Sequence, residues 1–271
     1  MKDQSGPQSY SKIFGWMLLP LILLAVAGIG LASERRVLHP PKSVRVVAEM
    51  PQDEFEQRVR SYLLEHPEVI KEAIDRLEAR QVELDAAQVA AVLKEHADDI
   101  FRDPDSPVGG NPKGDVTLVE FFDYNCPYCR QMAPLMTQAA AEDPQLRIVY
   151  KEFPILGPNS VVAAKAALAA NKQDKYVAFH RALYQIRGPV EEGKVLEAAA
   201  TAGLDVDRLK ADMQNPSLQG LLDRNIQLAQ ALRITGTPGF VAGDQILVGA
   251  TDLKTLQAVL QTIRGKQQAT K

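Results

Sequence analysis

Cysteine is scarce in this chain: only two of its 271 residues are cysteines, Cys126 and Cys129. Small secreted scaffolds usually carry several disulfides, and this chain can form at most one within itself. Because that bond would close a loop over only Pro127 and Tyr128, it would remove little entropy from the unfolded chain. The two cysteines therefore favour a chemical role over a structural one.

An excess of positive charge is also missing, since 31 basic residues face 34 acidic ones and the net charge is −3. Nucleic-acid-binding domains generally concentrate basic residues in one patch, so this balance gives no support to nucleic-acid binding. Aromatic residues, which stack on bases, make up only 6% of the chain. The sequence predicts no nucleic-acid partner.

Metal ligands are sparse as well. The four histidines form no close pair in the sequence; they are His39, His66, His96 and His180. A zinc site generally takes four ligands, and the two cysteines supply only two. The sequence therefore predicts no bound metal, and it contains no motif for another cofactor.

One long apolar run is present near the N-terminus, where residues 13–32 carry no charge. A membrane-spanning helix needs about 20 residues, whereas the apolar core of a signal peptide is usually ~7–15 residues long. The length favours a membrane anchor within residues 1–32, and small residues near its end leave a cleaved signal peptide as the alternative. Either route predicts export to a compartment where disulfides persist, which for a bacterial chain is the periplasm, with an anchor in the inner membrane if the segment is retained.

Residues 33–51 contain three prolines among scattered charges, which is typical of an extended linker. Helical periodicity follows over 52–100. Pro67 is predicted to open a second helix that reaches about residue 97. Apolar residues recur there every seven positions, at Leu63, Ile70, Leu77, Leu84 and Ala91, with Ile74 at a half-step.

This heptad pattern is incomplete, because the next two half-step positions are glutamines. A second apolar stripe on another face contains Val82, Ala86, Val89 and Leu93. The pattern permits two interpretations. The helix either packs on its own domain, or residues 52–97 form a stalk that joins copies of the chain into a homo-oligomer.

A turn-rich boundary at residues 103–112 precedes a predicted catalytic domain over 104–265, with a tail at 266–271. Inside this domain, apolar patterning predicts two strands, at 117–122 and 146–150, and then a helical block. The remaining predicted elements are helices at 130–141 and 253–263, five helices within about 158–232, and a hairpin of strands at 239–242 and 245–248. The order predicts an α/β core with an inserted helical block.

The two cysteines lie between a predicted strand and a predicted helix. Cys126 would occupy the helix N-terminus, where unpaired N–H groups and the helix dipole stabilise a thiolate, so it is the candidate nucleophile. Cys129 follows one turn later and would resolve a mixed disulfide formed on Cys126. This arrangement predicts thiol–disulfide exchange.

Two segments resemble the DsbA-like branch of the thioredoxin superfamily: residues 121–129, which read FFDYNCPYC, and residues 236–240, which read GTPGF. The resemblance covers about residues 104–265 and implies a thioredoxin-like fold. It also implies that Pro238 is cis and faces the cysteines, and that the backbone of Thr237 pairs with extended substrate. Pro127 and Tyr128 are further candidate substrate contacts.

Glu120 lies six residues before Cys126. The resemblance implies a buried acid here that assists proton transfer near the resolving thiol. The alternative is an acid at the end of a strand that pairs with a base such as Lys151. Asp123 is closer to Cys126, and its side chain is expected to cap the turn.

A second resemblance, to the helical prefix of ScsC-like proteins, covers residues 55–70. It implies kinship with proteins of which some oligomerise through this region and act as disulfide isomerases. Together with the apolar N-terminal run and Thr237, it leads us to expect an exported oxidoreductase, either an oxidase or a disulfide isomerase; a reductase is a third direction. Its partners would be proteins with thiols or disulfides and a redox protein that resets the cysteines. The alternative is a non-catalytic docking protein that uses the stalk and a thioredoxin-like surface.

Overall fold

The structure is a computed structural model that describes residues 50–269. The chain divides into two compact units, Met1–Tyr62 and Leu63–Lys271. The apolar run at 13–32 and almost all of the predicted linker at 33–51 lie outside the described residues, so the anchor and the signal peptide both stay predictions. Within the described range, every helix is too short or too polar to span a bilayer.

The described part of the first unit is helical. Helix α1 covers Gln52–Glu65, so the boundary between the units falls inside it. Asp53 and Glu54 occupy its first turn, where acidic side chains interact favourably with the helix dipole. Phe55 and Val59 are exposed, so this helix leaves apolar surface uncovered.

In the second unit, helix α2 covers Glu68–Glu95 and begins directly after Pro67, as predicted. Its C-terminal half packs on the domain, because Leu93 is buried in a cluster that Val89 also contacts. Further towards the N-terminus, the heptad residues Leu77 and Leu84 are exposed. Helix α2 therefore packs on its own domain through the second apolar stripe, at Val89 and Leu93. Oligomerisation through the heptad residues stays a prediction.

A short helix, α3 (Ala97–Phe101), leads into a five-stranded mixed sheet. The strands are β1 (Val108–Gly110), β2 (Val116–Phe122), β3 (Leu146–Glu152), β4 (Gly239–Ala242) and β5 (Gln245–Val248), in the spatial order β1-β3-β2-β4-β5. Strands β2 and β3 are parallel, and the other pairs are antiparallel. The predicted α/β core is confirmed.

Strand β2 is buried on both faces, as its nearly continuous apolar sequence predicts. Leu118 and Phe122 contact the cluster that contains both cysteines. Val119 and Phe121, which point the other way, join the cluster beneath α2. Since side chains alternate along a strand, Glu120 shares the face of Leu118 and Phe122.

The remaining helices match the predicted order. They are α4 (Pro127–Glu142), α5 (Pro158–Asn171), α6 (Tyr176–Gln185), α7 (Glu192–Thr201), α8 (Val206–Met213), α9 (Pro216–Ala231) and α10 (Leu253–Ala269). Helices α5 to α9 form the predicted inserted block between β3 and β4. Eight residues of α5 are buried, most of them alanines, so small side chains allow close packing at the centre of this block.

The structure differs from the predicted elements at two places. Residues 103–112, predicted as an irregular boundary, contain strand β1, which pairs with β3. The last helix continues through Gly265 to Ala269, beyond its predicted end at residue 263. One glycine costs a helix only about 1 kcal/mol, which does not stop it. Lys266 also pairs with Asp244 at 2.7 Å.

Candidate active site

The two cysteines lie at the N-terminus of α4, directly after the end of β2. Cys126 is the N-cap residue, in an extended conformation, and Pro127 occupies the first turn. Proline suits this position because its missing N–H would have no helical partner. Both thiols are free. Cys126 keeps a small exposed fraction of 4%, whereas Cys129 is fully buried.

The segment before β4 brings Thr237 and Pro238 to the cysteines. The Thr237–Pro238 peptide bond is cis, as the resemblance implies. The thiol of Cys126 lies 3.2 Å from the carbonyl oxygen of Thr237. Two segments 111 positions apart in the chain therefore meet at one sulfur atom.

The surroundings of Cys126 lower its thiol pKa to about 5. The largest cause is the hydrogen bond from the Cys129 thiol, and burial opposes it. The side chain of Thr237 and the backbone N–H groups at the start of α4 stabilise the thiolate further. Cys126 is therefore ionised at neutral pH.

The thiol of Cys129 behaves in the opposite way. Burial raises its pKa far above the ordinary range, and its hydrogen bond to Cys126 acts in the same direction. The negative charge of an ionised Glu120 also opposes the Cys129 thiolate. Cys129 thus holds a proton while Cys126 carries the charge, which suits one nucleophile and one resolving thiol.

Glu120 is buried among apolar side chains, and burial raises its pKa to about 8. Its carboxyl atom Oε2 has no hydrogen-bond partner within the described residues. The alternative pairing with Lys151 does not occur, because Lys151 bonds Asp103 at 2.7 Å. Glu120 and Lys151 point to opposite faces of the sheet. At neutral pH Glu120 is mostly protonated and can act as an acid.

Exposed apolar side chains occur on segments bonded to the Cys126 turn and to the Pro238 segment. Between residues 102 and 269, the large hydrophobic side chains that are exposed are Tyr128, Ile155, Leu156 and Val248. Tyr128 lies between the cysteines, and the N–H of Leu156 bonds Asp123 at 2.9 Å. Val248 pairs with Gly239, next to Pro238. Three chain segments that meet at the active site therefore carry exposed apolar side chains.

Three polar side chains near Cys126 were not singled out as site residues from the sequence. Asp123 does cap the turn, since its carboxylate accepts from the N–H of Asn125, but it also accepts from Leu156 and Ser160. Asn125 and Ser160 complete this network. Ser160 lies 37 positions beyond Asp123, and no local pattern links the two.

The described residues contain no cluster of side chains that could bind a metal ion. Between residues 50 and 269, His, Cys, Asp and Glu side chains form no group of three or more that could hold a metal ion.

Comparison with known proteins identifies two regions. The family of DSBA-like thioredoxin domains matches residues 117–261. The N-terminal domain of the copper resistance protein ScsC matches residues 52–83. The first match covers β2 through most of α10 and includes both cysteines, Glu120 and the Thr237–Pro238 segment.

Individual relatives agree with these matches. The thiol:disulfide interchange protein DsbA of Bordetella parapertussis is 29% identical over 146 residues, which cover 52% of this chain and 69% of the relative. The structure of a thioredoxin-like oxidoreductase from Silicibacter pomeroyi is 46% identical, with a TM-score of 0.61, and the match covers 62% of this chain and 97% of that one. Proteus mirabilis ScsC, in a transitional conformation, is 30% identical with a TM-score of 0.61, over 79% of this chain and 97% of that one.

The chain also matches Na⁺/H⁺ antiporters of the NhaA type, but it spans only about a quarter of their length. The family match covers more than half of the chain, and its fold and cysteine pair agree with the site described above. The chain belongs to the DsbA-like family of thioredoxin-fold thiol–disulfide oxidoreductases.

Proposed function

We propose that this protein is an exported oxidoreductase that exchanges a Cys126–Cys129 disulfide with thiols of substrate proteins. The observation that carries the proposal is the contrast between the two thiols. Cys126 has a pKa of about 5 and touches Thr237, whereas the pKa of Cys129 is raised far above the ordinary range. Only a thiolate attacks a disulfide, so this contrast supports Cys126 as the reactive sulfur.

In the oxidising direction, a substrate thiolate attacks the sulfur of Cys126 in the Cys126–Cys129 disulfide. A bond forms between substrate and Cys126, and Cys129 leaves as a thiolate. A second substrate thiolate then attacks the substrate sulfur and releases Cys126 as a thiolate. The substrate gains a disulfide, and the enzyme gains two electrons that a redox partner must remove.

Glu120 is proposed to supply the proton that Cys129 needs when it leaves. The pKa of Cys129 is far above neutral, so its thiolate is a poor leaving group without a proton donor. Glu120, with a pKa of about 8, is protonated at neutral pH. It lies on the face of the sheet whose residues Leu118 and Phe122 pack in the same cluster as Cys129. In the reverse direction the same carboxylate would accept the proton from Cys129.

Substrate polypeptide is proposed to bind in an extended form beside Thr237 and Pro238. The backbone of Thr237 would pair with it as an added strand would, and Pro238 and Pro127 would shape the groove. Tyr128, Ile155, Leu156 and Val248 supply apolar surface around the thiol. Such a surface favours the binding of unfolded polypeptide segments that expose apolar side chains.

The direction of exchange is proposed to be oxidation or isomerisation. An isomerase needs a reduced Cys126 thiolate and benefits from two or more active sites over one substrate. The exposed apolar residues of α2, Ile70, Leu77 and Leu84 among them, support a homo-oligomer through residues 52–97. A periplasmic location, anchored through residues 13–32 if that segment is retained, completes the proposal.

Mixed-disulfide trapping tests the function. In a Cys129→Ser variant the resolving thiol is absent, so a substrate bound to Cys126 cannot be released by it. We expect this variant, expressed in cells, to accumulate mixed disulfides with other proteins, which a reducing agent cleaves. Failure to recover any adduct would contradict the enzymatic role.

The matched control is Cys126→Ser, which keeps Cys129 but removes the proposed nucleophile. We expect it to form no adducts and to lose oxidation and isomerisation of a model protein with several disulfides. A non-catalytic docking protein would instead keep its activity in this variant. Rapid oxidation of a reduced substrate with no isomerisation of a scrambled one would eliminate the isomerase version.

A further inference from the structure

The turn that carries Cys126 is hydrogen-bonded to the inserted helical block by the side chains of Asp123 and Asn125. Asp123 is buried, and its Oδ1 atom accepts from the hydroxyl of Ser160 at 2.7 Å. The same oxygen accepts from the N–H of Asn125 at 2.8 Å. Ser160 lies in the first turn of α5, so this carboxylate joins the turn to the block.

The side chain of Asn125, the residue directly before Cys126, is held at both ends. Its Nδ2 group donates to the hydroxyl of Ser160 at 3.2 Å. Its Oδ1 atom accepts from the N–H of Val190, in the loop after α6, at 2.8 Å. One carboxamide thus bridges two segments of the helical block.

The network also reaches the apolar surface around the thiol. The second carboxylate oxygen of Asp123 accepts from the N–H of Leu156 at 2.9 Å. The backbone carbonyl of Asp123 accepts from the N–H of Cys126 at 3.1 Å. Asp123 therefore contacts both the exposed Leu156 loop and the backbone of the reactive cysteine.

We propose that Asp123, Asn125 and Ser160 are positioning residues for thiol–disulfide exchange. They hold the Cys126 turn at a fixed distance from the Leu156 loop and from α5, so that the sulfur stays beside the N–H groups of α4. These side chains do not touch the reacting atoms of the substrate; they act through the position of Cys126. The proposal rests on the proposed function and adds the requirement that the helical block sets the reactivity of the thiol.

The physical reason lies in what stabilises the thiolate. The donors to Cys126 are the thiol of Cys129, the side chain of Thr237 and the N–H groups of α4. Hydrogen bonds to a charged sulfur weaken quickly with distance and angle. If the turn loosens, the sulfur spends less time next to these donors. The thiolate is then less favoured, although no charged group has been removed.

Ser160→Ala tests this, because it deletes the bridging hydroxyl and leaves the charge of Asp123 unchanged. The chain offers a matched control in Ser106→Ala. Ser106 is also buried, and its hydroxyl donates to Asp103 at 2.7 Å. Asp103 pairs with Lys151, on the face of the sheet away from the cysteines. The two substitutions remove the same kind of hydrogen bond at different places.

The measurement is the rate of iodoacetamide alkylation of Cys126 as a function of pH, in the full chain. For Ser160→Ala we expect the midpoint of the profile to rise by roughly half a pH unit or more. Ser106→Ala should keep the wild-type midpoint, although its melting temperature should fall by about as much as that of Ser160→Ala. Equal midpoints for both variants, with similar losses of melting temperature, would overturn the proposal.

Asn125→Ala supplies a second route if Ser160→Ala does not fold. It removes the acceptor for Val190 and the donor to Ser160, and we expect it to raise the midpoint in the same direction. An unchanged midpoint in this variant would contradict the proposal. Mixed-disulfide trapping in the Cys129→Ser background tests the proposed function separately from the positioning role. If no adducts form, with or without the Ser160→Ala or Asn125→Ala substitution, the proposed function is refuted. The alkylation profile still decides whether these side chains position Cys126.

Discussion

At the residue scale, the fold gives two cysteines three positions apart opposite chemical properties. The hydrogen bond from the Cys129 thiol, helped by the Thr237 side chain and the N–H groups at the beginning of α4, lowers the thiol pKa of Cys126 to about 5. Cys129 lies one turn further along α4, inside the hydrophobic core, and burial there raises its pKa. Hydrogen bonds to the sulfur explain the lowered pKa of Cys126, and the loss of water explains the raised pKa of Cys129.

Glu120 gives a prediction with a defined pH dependence. In the unfolded chain this carboxyl ionises near its ordinary pKa of 4.5, whereas in the folded protein its pKa is about 8. The folded state therefore binds more protons between these values, and the free energy of unfolding falls as pH rises through this window. Glu120→Gln should remove this loss and stabilise the protein by up to about 5 kcal/mol at pH 8.

Urea unfolding of the wild type and Glu120→Gln between pH 4 and pH 8 checks this prediction. The two curves should agree near pH 4 and separate steadily above it, and Glu197→Gln, at an exposed site, should follow the wild type. A constant difference at every pH would contradict the raised pKa. If Glu120 also delivers the proton to Cys129, the oxidised variant should form mixed disulfides with reduced substrate roughly tenfold more slowly or worse.

At the scale of elements, helix α2 combines two roles along its length. Val89 and Leu93 bury its C-terminal half against the domain, while Ile70, Leu77 and Leu84 leave apolar side chains exposed further towards the N-terminus. A monomer gains nothing from such an exposed stripe. The exposed half is therefore where contact with another copy of the chain is expected.

Replacing Leu77 and Leu84 by Lys tests that expectation. Both side chains are exposed, so we expect the variant to keep its fold while light scattering shows a monomer in place of an oligomer. Leu93→Ala is the contrasting variant: it should cost about 2–4 kcal/mol of stability, because it empties a core position, and should keep the oligomer. A wild-type chain that is already monomeric would show that the stalk interpretation is wrong.

At the scale of the whole molecule, local sequence patterns predicted most of the elements that position the site. The hairpin strands β4 and β5 begin and end where predicted, and the five helices predicted within about 158–232 are present as α5 to α9. These elements have strong apolar periodicity between clear turn residues. The helix N-terminus at Cys126 follows from the same kind of local signal.

Long-range contacts account for what the sequence did not reveal. Strand β1 has three residues, two of them glycines, and it exists because it pairs with β3. Lys151 bonds Asp103, 48 positions away, and not Glu120. The contact between Ser160 and Asp123 is of the same kind. Each depends on which chain segments the fold brings together, and a single sequence carries no record of that.

The central claim is that Cys126 is a thiolate at neutral pH and that Cys129 is not. The most direct test is the pH dependence of iodoacetamide alkylation of the reduced protein, with the modified cysteine identified by mass spectrometry. The account predicts a single reactive thiol, Cys126, with a midpoint near pH 5, and a Cys129 that stays unmodified until the protein unfolds. A midpoint near 9, the ordinary value for a free thiol, or equal labelling of both cysteines, would contradict it.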